Sequence, residues 1–342
     1  MKLARSLVYS SDAERGYTRR RTRSGFEYLK PSGARVSDPR ELQRIRKLAI
    51  PPAYTEVWIC AHPRGHLQAT ARDARGRKQY RYHADWREGR DTSKYHRTVE
   101  FAGFLPKLRA RVRADLRRHG MPRAKVIAAV VRLLEASLIR VGNEEYARTN
   151  GSFGLTTLNN RHVRVSGQRL RFRFRGKSGK FHDIQLDDAR LARIVRRCQE
   201  LSGQALFQYI GDDGETESIS SGDVNDYIRE TTSSDFSAKD FRTWAGSVLA
   251  AEALYRVGPA RTETIRKHRI ATAITSVAEQ LGNTPSVCRK CYVHPAVIEA
   301  YERGTLKLPT LEHARAKVGL SPNERAMLRL LRVHEHERGV IA

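Results

Sequence analysis

Up to about residue 90, apolar and polar positions alternate in short runs cut by turn residues. Gly25-Phe-Glu-Tyr-Leu29 and Glu56-Val-Trp-Ile-Cys60 read as strands, while His66-Leu-Gln-Ala-Thr-Ala71 and Arg77-Lys-Gln-Tyr-Arg-Tyr82 flank the turn Asp73-Ala-Arg-Gly76 and make a hairpin. A short helix from Pro39 to Leu48 precedes Pro51-Pro52. Glu88-Gly-Arg-Asp-Thr-Ser-Lys94 carries no apolar residue and marks a linker. Beyond it the pattern turns helical. One helix is expected from Tyr95 to His119, with Pro106 as its weak point, and another from Pro122 to Val141, striped by Val126, Val130, Leu133, Leu134, Leu138 and Val141.

From Leu155 the period drops to two, and Val163 to Val165, Leu170 to Phe174 and Phe181 to Leu186 predict three strands. Helices resume at Asp188–Leu201, Gly222–Glu230, Lys239–Tyr255 and Thr262–Leu281, where Gly282 supplies the stop. Thr284-Pro285 then reads as cap and first residue of a short helix leading to Tyr292, and His294-Pro295 opens the next. Pro309–Val318 and Pro322–Glu337 complete the helical set. The expected fold class is α+β, with a small antiparallel β-sheet domain over residues 1–90. A larger, mainly helical domain containing a three-stranded meander follows over 91–342.

Charge changes the picture. Lys and Arg number 64 against 37 acidic residues, a net charge of +27, so a compact molecule would repel itself unless it met a polyanion. The basic residues are interleaved with aromatics, as in Arg169-Leu-Arg-Phe-Arg-Phe-Arg175, which suggests a folded basic surface for nucleic acid. No apolar run reaches the about 18 residues of a membrane span, and Met1-Lys-Leu-Ala-Arg-Ser lacks a signal core, so the expected location is cytoplasmic and nucleoid-associated. The four cysteines fit a reducing compartment. Cys288 and Cys291 form a C-x-x-C, but no second pair completes a tetrahedral metal site.

Several residues acquire meaning only together. Taken alone, Tyr292 reads as a core or interface tyrosine, Arg140 as an end-of-helix cation and Lys177 as a solvated turn lysine at a hairpin tip. The spacing around Lys177 is not that of a phosphate loop and no helix follows, so nucleotide binding is not expected. On a polyanionic partner, a phenol, forked guanidiniums and a mobile lysine suit phosphoryl transfer within a nucleic-acid backbone. Tyr292 would attack phosphorus, and Arg140 and Arg242 would share the charge gathered on the non-bridging oxygens. Lys177 would protonate the departing oxygen, and Asn283 would donate a neutral hydrogen bond. Tyr80 and Tyr82 share one strand face with Arg81 opposite, equally suited to packing on a core or facing DNA.

Arg140-Val-Gly-Asn-Glu-Glu-Tyr146, the Gly176-Lys-Ser-Gly179 hairpin, Lys239-Asp-Phe-Arg-Thr243 and the later Tyr292 together resemble the ordered signature of type IB DNA topoisomerases, in particular the small poxvirus-like enzymes of bacteria. The resemblance runs from about Gly25 to Leu306. It implies a monomeric C-shaped clamp on duplex DNA, a transient 3′-phosphotyrosyl bond, strand rotation and religation, with no nucleotide, metal or other cofactor. It further implies an active site of Arg140, Lys177, Arg242, Asn283 and Tyr292, and DNA contacts from Gln79, Tyr80, Tyr82, Tyr146 and Lys239. Viral and nuclear members generally carry histidine where this chain has Asn283, which keeps the hydrogen bond but not the charge. The segment from Lys307 onward lies outside the resemblance. Two other readings compete. A tyrosine recombinase would present histidine where this chain has Lys239, and a non-catalytic DNA clamp would need no tyrosine at all.

Overall fold

The computed structural model describes residues 7–74, 76–211, 213–309, 319–337 and 339, with the backbone alone for 87–93. The fold is α+β, and the chain divides into two compact units, Met1–Tyr95 and His96–Ala342. The helix expected over Pro309–Val318 lies almost wholly outside the described residues.

The first unit is built on five antiparallel strands, β1 (Tyr17–Thr22), β2 (Gly25–Leu29), β3 (Thr55–Ile59), β4 (Leu67–Arg72) and β5 (Lys78–Tyr82), in the order β2-β1-β3-β4-β5. One helix, α1 (Pro39–Lys47), starts where the Asp38 side chain accepts from the Arg40 N–H at 2.9 Å and Pro39 occupies the first turn. Its Ile45 packs with Val57, Ile59, Ala69 and Ala71 in a small core of its own. The sequence pattern did not predict β1, because Tyr-Thr-Arg-Arg-Arg-Thr shows no apolar alternation. One arginine takes the place of an apolar side chain there: the Arg19 guanidinium lies 4.3 Å over the Phe26 ring and donates to the carbonyl of Pro51 at 3.1 Å.

Helix α2 (Ala84–Asp115) runs without a break through the stretch expected to be a linker. Glu, Arg and Lys are good helix formers and Gly89 is the main residue against a helix, so absence of apolar residues did not by itself mark a loop. Pro106 lies inside α2 too. Then follow α3 (Arg123–Ser137), α4 (Glu144–Asn150) and the antiparallel meander β6 (Val163–Ser166), β7 (Arg169–Arg175) and β8 (Phe181–Asp187). The chain continues with α5 (Ala189–Gln199), the short ribbon β9 (Gln208–Ile210) and β10 (Thr216–Ser218), and α6 (Ser221–Thr232). The remaining helices are α7 (Ala238–Val257), α8 (Glu263–Gln280), α9 (Pro285–Cys291), α10 (Pro295–Glu302) and α11 (Pro322–Glu337).

Helix α3 stops earlier than its apolar stripe suggested. The Ser137 hydroxyl turns back to the Leu133 carbonyl at 2.6 Å, and Leu138 enters the left-handed region at φ 58°. Arg140 is therefore not an end-of-helix residue; it sits three positions past the last turn, on an extended strap. That strap is held by Leu155 N–H donating to the Arg140 carbonyl at 2.9 Å and Thr156 N–H to Val141 at 2.7 Å. A Cβ on Gly154 would lie 2.6 Å from the Arg140 carbonyl oxygen, so the strap rests directly on backbone.

The segment past Lys307 also has a structural role. Glu324 of α11 is buried and accepts from Arg109 of α2 at 2.6 and 2.9 Å, from the Ser321 N–H at 2.7 Å and from Trp244 of α7 at 3.1 Å. Burial alone would raise the carboxyl pKa, but these donors hold it below its ordinary value. Trp244 is two residues from Arg242, so α11 braces the helix that carries that arginine. Among the described residues, no helix is long and apolar enough to cross a membrane.

Candidate active site

Tyr292 is presented by the turn between two helices and the short helix that follows it. Helix α8 ends at Gln280, Gly282 takes φ 60°, and the Thr284 side chain accepts from the Val287 N–H at 3.4 Å to start α9. About two turns later the Tyr292 N–H closes on the Cys288 carbonyl at 2.9 Å, leaving the phenol half-buried beyond the helix end. The backbone on either side is fixed by one hydroxyl. Ser247 Oγ of α7 lies 3.2 Å from the Tyr292 carbonyl and accepts from the His294 N–H at 3.0 Å.

The neighbouring Gly246 explains itself by contact. Glycine within a helix costs about 0.5–1 kcal/mol against alanine, yet a Cβ here would stand 2.7 Å from the Tyr292 carbonyl oxygen and 3.0 Å from its Cβ. Gly246→Ala is expected to push the Tyr292 backbone and its phenol out of place and to cost about 1–3 kcal/mol of stability through overpacking. Thermal unfolding of the variant beside the parent checks this, and an unchanged Tm contradicts it.

Arg242 enters on the second turn of α7 and is 4% exposed. Its guanidinium donates to the Leu138 carbonyl at the end of α3 and, at 2.6 Å, to the Leu281 carbonyl at the end of α8. It thereby caps two helix C-termini, where the carbonyl dipoles favour a cation. The same group lies 5.3 Å over the Tyr292 ring. Burial, and then the like charge of Arg140, push its pKa down to about 10, and the Tyr292 phenol offsets part of the fall. It stays charged at neutral pH. Its buried Nε has no hydrogen-bond partner among the described residues.

Arg140 reaches the same place from the α3–α4 strap. It is half-buried, and its Nη2 donates to Asn283 Oδ1 at 2.5 Å. Burial lowers its pKa, again offset by Tyr292. The Arg140 contact fixes which way the Asn283 amide faces, and leaves its Nδ2 buried with no partner among the described residues. Two N–H donors thus stand unpaired beside one phenol and two guanidiniums. Buried donors are paired in the large majority of cases, so an orphan pair at one spot marks an acceptor supplied from outside.

The meander adds the lysine hairpin. Lys177 opens a turn in which Ser178 takes φ 62° and Gly179 φ 75°, and its exposed ammonium makes no bond to any described residue. The cation that does touch the site is Lys180, whose Nζ donates to the Asn283 carbonyl at 2.8 Å. The structure thus brings Arg140, Arg242, Asn283 and Tyr292 together and leaves Lys177 at the tip of a hairpin tied to them by Lys180. Sequence reasoning missed Lys180, His182, Gly246 and Ser247. Only His182 left a signal, since strand alternation from Ile184 and Leu186 puts it on the inner face.

The remaining candidates are surface groups. Tyr146 is 61% exposed on α4, which Asn143 caps by accepting the Tyr146 N–H at 3.0 Å. Lys239 is exposed, one turn ahead of Arg242. In the first unit, Tyr80 is 46% exposed and stacks on Tyr82 with centroids 6.2 Å apart, while Gln79 donates to Asp73 at 3.0 Å. Arg81 turns to the other face and donates to the Leu48 carbonyl at 3.2 Å. Cys288 and Cys291 are both free thiols, and burial pushes Cys288 up to about 11.

Comparison with known proteins places the chain in a family. The profile of the eukaryotic DNA topoisomerase I catalytic core fits residues 83–317, and that of the bacterial DNA topoisomerase IB N-terminal domain fits 25–73. DNA topoisomerase 1B of Acanthamoeba polyphaga mimivirus is 34% identical over 274 residues, covering 77% of this chain and 80% of the relative. This chain belongs to the type IB DNA topoisomerases. DNA topoisomerase I of monkeypox virus and DNA topoisomerase 1B of vaccinia virus (strain Copenhagen) are each 22% identical over 248 residues, covering 72% of this chain and 75% of theirs. The topoisomerase is thus an enzyme of the type IB class, and the recombinase reading is not favoured, since these relatives are all topoisomerases.

Proposed function

We propose that this topoisomerase relaxes supercoiled duplex DNA through a transient 3′-phosphotyrosyl bond at Tyr292. The observation that carries the reading is the orphan pair, Arg242 Nε and Asn283 Nδ2, beside the phenol and its two arginines. A phosphodiester seated there would give both donors their acceptors. The phenol oxygen forms the new bond to phosphorus, its proton passes to water, and the bond from phosphorus to the 5′ oxygen breaks. Arg140, Arg242 and Asn283 take up the charge of the pentacoordinate state. The departing oxygen accepts a proton from Lys177, which the exposed hairpin is free to deliver into a groove. Rotation of the free strand and the reverse reaction restore an intact duplex.

Each residue present carries its own part of this chemistry, and the reading calls for neither nucleotide nor metal. The protein acts as a cytoplasmic, nucleoid-bound monomer of two domains, residues 1–90 and 91–342. Gln79, Tyr80, Tyr82, Tyr146 and Lys239 are its contacts to duplex outside the reacting phosphate, in keeping with the exposure of Tyr80, Tyr146 and Lys239. Plasmid of either supercoil sign is expected to relax in EDTA without nucleotide. Loss of activity on chelation overturns the metal-independent part of the reading. Affinity should also fall about 10³- to 10⁵-fold between about 50 and 200 mM salt, as counterion release predicts for roughly 6–10 phosphate contacts. A flat salt profile contradicts a surface that binds through its charge of +27.

A further inference from the structure

His182 lies across from Phe174 in the β7–β8 register, on the half-buried side of the meander. Its ring stacks on Phe174 with centroids 5.0 Å apart and planes 15° from parallel. The two edges of the imidazole are gripped by glycines. A Cβ on Gly176 would come within 2.6 Å of its Cδ2 and Nε2, and one on Gly282 within 2.7 Å of its Cε1. Neither position has room for any side chain but hydrogen, and Gly282 also needs its φ of 60°. Gly176 immediately precedes Lys177, and Gly282 immediately precedes Asn283. One ring therefore fills the gap between the neck of the lysine hairpin and the turn that presents the asparagine.

The ring works by shape rather than by bonding. It makes no hydrogen bond to any described residue. Burial, and then the charges of Arg140, Arg242 and Lys180, lower its pKa, so it stands as a neutral spacer among cations. Lys180 makes a second tie across the same gap at 2.8 Å to the Asn283 carbonyl. Arg140 holds the Asn283 side chain independently, so the turn keeps its place when the ring is removed and the hairpin is the side that moves.

We propose that His182 is a positioning residue for strand cleavage: its ring sets the separation between the Lys177 hairpin and the Gly282-Asn283 turn, so that the lysine meets the departing oxygen in register with Asn283 and Arg140. The proposal rests on the reading of Lys177 as the acid given above. Removing the ring lets the hairpin neck settle toward the turn, and a displacement of that kind is worth about 10²-fold in rate. Phenylalanine keeps the flat spacer and the stack on Phe174 while discarding both nitrogens.

The test compares single-turnover cleavage of two duplexes, one with the ordinary 5′ oxygen at the scissile bond and one with sulfur in its place. A thiolate leaves without being protonated, so the sulfur duplex bypasses the acid. His182→Ala is expected to cleave the oxygen duplex about 10²-fold slower than the parent and the sulfur duplex within about threefold, with duplex Kd and Tm close to the parent's. His182→Phe is expected to stay within about threefold on both. Parent-like rates for His182→Ala on the oxygen duplex overturn the proposal. So does an equal loss on both duplexes, which marks general damage, and so does a Phe variant as slow as the Ala variant, which assigns the work to the ring nitrogens. Lys177→Ala is run beside them. If sulfur fails to restore that variant, the acid assignment itself falls, and the two failures are told apart.

Discussion

Tyr292→Phe removes a single oxygen and is expected to leave no detectable relaxation and no covalent adduct on denaturant quench, while duplex Kd stays within about twofold. The asymmetry follows from where the side chain sits. The ring keeps its place 5.3 Å under the Arg242 guanidinium, and the backbone keeps its bonds to Cys288 and Ser247, so the fold and the DNA surface are untouched. What disappears is the atom proposed to bond to phosphorus. Relaxation and filter-binding assays on the same preparation read both halves. Residual relaxation by the variant would move the nucleophile elsewhere.

The second large effect is at Arg242, where stability and rate are expected to fail together. Arg242→Ala strips the bonds to the Leu138 and Leu281 carbonyls in a buried setting, at a cost of about 1–3 kcal/mol for each acceptor left unpaired. It also removes one of the two guanidiniums proposed to face the transition state, and cleavage should slow on the order of 10²- to 10⁴-fold. Arg242→Lys separates the two roles. A lysine can cap one carbonyl but lacks the fork, so Tm should recover more than the cleavage rate does. Arg140→Ala is the companion, since that half-buried residue caps no helix and should lose rate with little loss of Tm. A normal cleavage rate in either alanine variant removes that arginine from the site.

These effects arise because side chains far apart in sequence converge, and sequence conveyed that convergence unevenly. The meander from Val163 to Leu186 was legible because one face is buried and the alternation is clean. So were α7, α8 and α9, where caps and glycine stops stand at the expected places. Strand β1 was hidden by its arginines, and the polar residues after Ala84 concealed a continuous helix because a run without apolar residues carries no period. The short elements α4, β9 and β10 carry too few residues for a period to show.

The site divides in the same way. Arg140, Arg242, Asn283 and Tyr292 were named from motifs, and the structure places the four together. The groups that hold them were not nameable. Gly246 matters because of a carbonyl 46 residues downstream in sequence, and His182 because two glycines from different elements close on it. Helical or strand periodicity reports which side of an element is buried, and says nothing of what it is buried against. Lys180 was passed over for the same reason, since only the fold shows that it, not Lys177, holds the Asn283 turn in the unbound enzyme.

The most direct test is to find the bond itself. Enzyme is mixed with duplex in EDTA, quenched with detergent, digested, and the DNA-linked peptide sequenced. The account predicts a single adduct joining the 3′ phosphate of the cleaved strand to the peptide containing Tyr292. No adduct, attachment through another residue, or linkage to a 5′ end would contradict it.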